Sequence, residues 1–226
     1  AFLIFVFSIT ATCGFSQDWY GGLDGGFTIS SIKVVNETDY ATGDFSPRLG
    51  LHLGIFGEYG FSERWFAQLW LNYDQRGAKF KDSRTTSAGQ SYSTDLKLRT
   101  HYFGLPLMIK FNFLSSEKVD LFGQFGPEVS FLGWAKMKGT ETLDGSTSDI
   151  DVRLNDTWSL VTTSLVFGLG FEFNHSETGN TFVQVQYNLG LSDIQQQGFN
   201  EQYTSDPEAR DRTISITVGY RGMFGE

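Results

Sequence analysis

The chain has 226 residues, a formal charge of -9, 16% aromatic residues, 26 glycines and only 4 prolines. That charge excludes nucleic-acid recognition through a clustered basic surface, and the lone Cys13 excludes an intramolecular disulfide framework and a cysteine-based zinc site. What remains is a strand-rich single domain, because aromatics and glycine favour strands over helices and all-β barrels of this size are commonly one unit.

In chain order, an apolar run over 2–9 comes first. It is too short to cross a bilayer as a helix, which takes about 20 residues, and with the small residues Gly14 and Ser16 behind it the segment 1–16 reads as a signal peptide. Residues 17–226 then read as one barrel domain. Eight strands are expected, over 20–30, 48–59, 65–80, 102–113, 119–131, 159–174, 181–191 and 212–224. Each alternates apolar and polar side chains with the period of two that a strand with unlike faces requires. The hairpin 102–131 is the clearest case: Phe103, Leu105, Leu107, Ile109, Phe111 and Phe113 share one parity, and Gly104, Met108, Lys110 and Asn112 the other.

Between the strands the connections alternate long and short. Polar segments over 33–47, 81–95, 138–156 and 195–211 read as loops, and 60–64, 114–118 and 175–180 as tight turns. With antiparallel neighbours, all short turns fall at one end and all long loops at the other. That is the asymmetry of a closed, antiparallel, eight-stranded up-and-down transmembrane β-barrel with short periplasmic turns and long extracellular loops.

Side-chain volume decides which face points out. One parity is rich in Leu, Ile and Phe; the other repeatedly carries glycine, at Gly22, Gly26, Gly50, Gly54, Gly104, Gly126, Gly168, Gly170, Gly190 and Gly219. An eight-stranded barrel has an interior just wide enough for side chains to fill it, so the small face belongs inside and the apolar face against lipid. Two interfacial girdles are then expected: Tyr59, Trp65, Phe113, Phe173 and Phe224 on the turn side, and Tyr73, Trp134 and Trp158 on the loop side. The interior would hold Glu58, Asp74, Arg76, Lys110, Glu128, Glu172 and Arg221, of both signs. Buried charges must pair, and adjacent strands suggest Lys110 with Glu128.

Several phrases carry a resemblance. Residues 21–26 (GGLDGG), 72–79 (NYDQRGAK), 105–110 (LPLMIK), 125–127 (FGP) and 187–191 (YNLGL) are similar to those of the Bacteroidota outer-membrane barrels, the porin-family or PorT-like proteins. The likeness spans about residues 20 to 224. It implies an outer-membrane location and, for some members, an association with type IX protein secretion; it implies no catalytic motif.

His52, His101 and His175 are too scattered for a metal centre, and no Ser/His pair stands out for hydrolysis against lipid. Residues 144–151 are rich in Asp, Ser and Thr but miss the EF-hand spacing and its closing Glu, and Asn36 opens a glycosylation-type triplet. The expectation is therefore a non-enzymatic outer-membrane barrel without cofactor or metal. It is expected as a monomer in outer-membrane lipid, with a plugged polar interior, acting as a structural or binding scaffold that meets other envelope proteins through its loops. The alternatives are a narrow porin-like channel for small solutes and a soluble, lipocalin-like barrel with its Phe-rich face around an apolar ligand.

Overall fold

The period-two segments are all extended in the computed structural model, which describes residues 18–35, 44–85, 89–155, 158–176, 179–194 and 208–224. Its strands are β1 (Asp18–Val35), β2 (Asp44–Gly60), β3 (Trp65–Arg76), β4 (Ala78–Thr85), β5 (Ser91–Ser115), β6 (Val119–Leu143), β7 (Ser146–Arg153), β8 (Val161–Ser176), β9 (Gly179–Gly190) and β10 (Glu208–Phe224). The expected leader with Cys13, the Asn36 triplet, residues 195–207 and the side chain of Phe224 lie outside the described residues.

Neighbouring strands are antiparallel throughout, and β10 returns to β1 over a register running from Trp19↔Phe224 to Val35↔Glu208. β3 and β4 are one strand interrupted at Gly77, since both lie between β2 and β5. Gly77 has a φ of 140°, a value open to glycine and closed to most other residues. With those two counted as one, the ring runs β1, β2, β3/β4, β5, β6, β8, β9, β10 and back to β1: a closed eight-stranded antiparallel barrel.

Strands reach into all four segments expected to be loops, and two of those segments are mostly strand. Residues 81–85 continue β4, residues 91–101 open β5, and 138–143 with 146–153 form the β6–β7 hairpin. β5 and β6 each have 25 residues, where about 9–11 tilted residues cross a bilayer. Their surplus pairs from Arg99↔Lys136 out to Tyr92↔Leu143 and, with β4 and β7 on either side, forms a sheet projecting past the barrel at the end opposite the tight turns. The turns themselves are as short as expected. Between β5 and β6, the Ser116 amide donates to the Val119 carbonyl at 3.2 Å and the Ser116 hydroxyl to the same carbonyl at 2.7 Å.

Exposure alternates along the ring. On β3 every second residue is buried; Phe27, Leu49, Leu69 and Leu169 stand on the outside at 58–62% exposure, while Gln184, Glu58, Glu172 and Met108 lie inside, almost fully covered. An apolar outer surface on this scale far exceeds the few hundred Å² a soluble monomer tolerates. Lipid stabilises each such Leu or Phe by about 1.5–3 kcal/mol relative to water. The soluble, lipocalin-like alternative is thereby overturned, since the Leu- and Phe-rich face is outside and the lumen is filled by side chains, most of them polar.

Candidate functional site

The lumen is filled in layers, and the inward parity of each strand decides what each layer contains. Nearest the tight turns, Glu58 (β2), Lys110 (β5), Glu172 (β8) and Arg221 (β10) form a closed charge cluster. Lys110 Nζ lies 2.6 Å from Glu172 Oε2 and 3.6 Å from Glu58 Oε2. Arg221 donates through Nε to Glu58 Oε1 at 2.6 Å and through Nη1 to Glu172 Oε1 at 3.1 Å. Gln68 also donates to Glu58 Oε2 at 2.6 Å, and Asn180 to Glu172 Oε1 at 2.7 Å. The Arg221 guanidinium also stacks over the Tyr20 ring, 3.4 Å from its centroid.

Above it lies an apolar layer of Phe56, Trp70, Met108, Phe122, Val166 and Phe182. Phe56 and Trp70 stack at 4.2 Å between centroids, and Phe182 meets Phe56 edge-on at 5.9 Å. Inward glycines make the room. A Cβ on Gly170 would sit 2.5 Å from the Phe122 ring, and one on Gly22 would sit 2.6 Å from the Phe56 ring. A void of about 10 Å³ lies between this layer and Lys110 and Arg221 of the cluster below, at the lower limit for one water molecule.

A second charge cluster follows: Asp24, His52, Asp74, Arg76, Glu128 and Asp211. His52 Nδ1 is 2.6 Å from Asp74 Oδ1 and its Nε2 is 3.2 Å from Asp24 Oδ1. Arg76 bonds Asp74 at 2.9 Å, Glu128 at 2.7 Å and Asp211 at 3.5 Å. Asn188 donates to Glu128 at 3.0 Å, and Gln184 donates to Asp24 at 3.0 Å. Tyr102, Leu132 and Ala135 close the mouth, with Leu154 and Trp158 packed on them.

All seven ionisable residues expected inside are buried there, but the expected Lys110–Glu128 pair does not form. Across β5 and β6 the register sets Lys110 opposite Gln124 and Glu128 opposite Pro106. Four residues of offset at about 3.3 Å each put the two charges in different layers, so Lys110 pairs with Glu172 and Glu58, and Glu128 with Arg76. Asp24, His52 and Asp211 were missed. Asp24 and His52 lie on the glycine-bearing parity of their strands, a signal that was available; Asp211 lies at the end of a polar run that hides its parity.

Outside, Tyr59 is half-buried against Trp19 at 5.0 Å, Trp65 lies tilted against Phe111 at 4.5 Å, and Phe113 and Phe173 are exposed, all towards the tight turns. At the opposite rim, Tyr73 Oη and His101 Nδ1 are 2.6 Å apart, and His101 stacks on Trp134 at 3.9 Å. Trp158 departs from expectation: it packs on the Tyr102, Leu132 and Ala135 cluster at the mouth instead of joining the outer belt. It lies between β7 and β8, beyond the reach of either strand's parity. Among the described residues, no group of three or more His, Cys, Asp or Glu is arranged to hold a metal ion.

A layered lumen inside an apolar-coated ring is the construction of a membrane barrel, and a family model agrees with it: the outer membrane protein beta-barrel domain matches residues 15–196. The chain belongs to this family. It resides in the outer membrane of the cell, with its apolar face in lipid. Solved structures similar to it include the outer membrane protein OprG of Pseudomonas aeruginosa, at 14% identity and a TM-score of 0.49, with 93% of this chain and 98% of that chain covered. Neisserial surface protein A is similar at 14% identity and a TM-score of 0.45, covering 91% of this chain and 97% of that one. The attachment invasion locus protein Ail of Yersinia pestis is 16% identical with a TM-score of 0.39, covering 89% and 97%. No curated protein matches the chain.

Proposed function

We propose that this barrel is a closed scaffold. It anchors in the outer membrane as a monomer and offers the projecting sheet of β4, β5, β6 and β7 to other envelope proteins. The observation that carries this reading is the apolar layer of Phe56, Trp70, Met108, Phe122, Val166 and Phe182, whose aromatic rings pack on one another across the lumen with a void of about 10 Å³ beside them. A porin-like path for solutes would have to cross it. The long strands favour presentation, because strand-built surfaces hold a binding face more rigidly than free loops. The phrases at 72–79 and 105–110 that resemble PorT-like barrels extend the proposal to a partner in protein secretion.

A catalytic reading finds less support. Both ring nitrogens of His52 already face carboxylates, at 2.6 and 3.2 Å, which leaves neither to take a proton from a hydroxyl nucleophile.

The test is conductance in planar bilayers, combined with photo-crosslinking in cells from Thr140 and Ser148 on the projection. A silent wild type, a leaking Phe56→Ala/Phe122→Ala/Phe182→Ala variant and a discrete crosslinked envelope protein are expected. Steady conductance by the wild type would replace the scaffold with a channel. Absence of any crosslinked partner would remove the docking role.

A further inference from the structure

In a chain of charge -9, five cations line one pocket. Arg48, Lys97, Arg99, Lys136 and Lys138 surround a cavity of about 260 Å³ with no acidic side chain in its wall. The β5–β6 register sets Arg99 directly opposite Lys136, and Lys97 directly opposite Lys138. Lys79 of β4 faces Lys97 from the other side, and Arg153 of β7 faces Lys136. Like charges directly across a ladder are destabilising, and here they occur in successive rows.

The available counter-charge is small. Asp151 bonds Lys136 at 2.8 Å and Lys138 at 3.2 Å, and Asp95 is held mainly by Lys81 at 2.9 Å. Among the described residues, Arg99 meets no carboxylate, and Arg48 donates only to the Arg76 carbonyl, at 3.2 Å.

Strand parity fixes where four of these cations point. Lys97 and Arg99 share a face of β5 with His101 and Phe103, and Lys136 and Lys138 share a face of β6 with Trp134. That face carries the outer aromatic belt, in which Phe103, Tyr73, His101 and Trp134 touch in sequence. Those four cations therefore stand on the outside of the barrel, one and two ladder rows beyond the belt, at the depth where lipid headgroups begin, while Arg48, buried on the inward parity of β2, lines the same cavity.

We infer that this pocket is an anion site for phosphate-type groups, filled from the phosphorylated headgroups of the surrounding outer leaflet or by a soluble phosphate. Basic side chains with spare donors on a rigid ladder bind such oxyanions through charge-assisted hydrogen bonds, and a bound anion removes the repulsion between the facing rows. The site goes beyond the scaffold proposal and does not depend on it.

Folded protein is placed in phosphatidylcholine nanodiscs with and without a bis-phosphorylated glucosamine lipid, and separately in micelles titrated with pyrophosphate. The wild type is compared with Lys97→Gln/Arg99→Gln/Lys136→Gln/Lys138→Gln, with the milder Arg99→Gln/Lys136→Gln, and with Lys118→Gln at the far turn. Heat-modifiable gel mobility verifies folding of each. The wild type is expected to bind the phosphorylated probe at least about tenfold more tightly than the quadruple variant, the value of one charge-assisted hydrogen bond, with Lys118→Gln unchanged. Without an anion, both cation-depleted variants should unfold no earlier than the wild type. Binding of the lipid but not of pyrophosphate assigns the headgroup source, and binding of pyrophosphate in micelles assigns a soluble one. Equal binding by wild type and the cation-depleted variants, or no binding by the wild type, overturns the inference.

Discussion

Replacing Lys110 with Met tests the layered lumen most directly. Lys110 is 2% exposed, with Nζ 2.6 Å from Glu172 and 3.6 Å from Glu58. At an effective dielectric near 20, those contacts are worth about 6 and about 5 kcal/mol. Burying the ammonium costs several kcal/mol in return, so removing it should destabilise the barrel by about 3–5 kcal/mol, leaving Arg221 to face two carboxylates alone. The pairing predicts a partial rescue: adding Glu172→Gln to Lys110→Met should recover about 2 kcal/mol, since one uncompensated charge goes with its lost partner. Glu128→Gln should give no such rescue, because Glu128 lies in the other layer with Arg76. Reversible guanidinium unfolding in lipid vesicles, followed by tryptophan fluorescence, gives these values. A Lys110→Met cost below about 1 kcal/mol, or equal rescue by Glu172→Gln and Glu128→Gln, would refute the layering and the register behind it.

Three further outcomes follow from the same geometry. Gly170→Val places side-chain carbon where the Phe122 ring lies, 2.5 Å from the Cβ position, and should cost about 1–3 kcal/mol by overpacking, read in the same unfolding assay. Leu169→Arg, at a 61% exposed position midway along β8, should cost about 2–4 kcal/mol in a bilayer, whereas Thr140→Arg on the projection should stay within about 0.5 kcal/mol. Hydrogen bonds from Lys136 and Lys138 hold the exposed Asp151 carboxyl below its usual value, and Lys81 does the same for Asp95. With the folded pKa depressed, their contribution is present above the unfolded value near 3.9 and is lost as pH falls through the folded one. Amide exchange along β7 should therefore rise on acidification below that range and change little between neutral and mildly acidic pH.

The barrel was readable because its strands separate two unlike solvents, lipid and a packed lumen, and that contrast writes a period of two into residues such as 103–113. The projection lacks that contrast. Residues 138–153 form strands with water against much of both faces, and their Thr, Ser, Asp and Gly carry no alternation, so they resemble a loop by composition. Interior membership follows from parity within one strand, which is why Glu58, Lys110 and Arg221 could be named. Partnership depends on the stagger between strands, which no single strand encodes, and the Lys110–Glu128 expectation failed for that reason. Trp158 lies between β7 and β8, where neither strand's parity reaches.

The seam between β1 and β10 also governs how the barrel can be made. Its register joins Trp19 to Phe224 and Val35 to Glu208, so one partner of the ring's first strand is the last of its strands to be synthesised. Until then β1 and every intermediate hairpin present an open edge and an uncovered apolar face, a state prone to pairing with other chains. Contacts of such sequence separation form slowly, since loop closure precedes any gain from them. Closure of this barrel consequently awaits β10, and its yield depends on how long the nearly complete ring is kept from meeting another copy of itself.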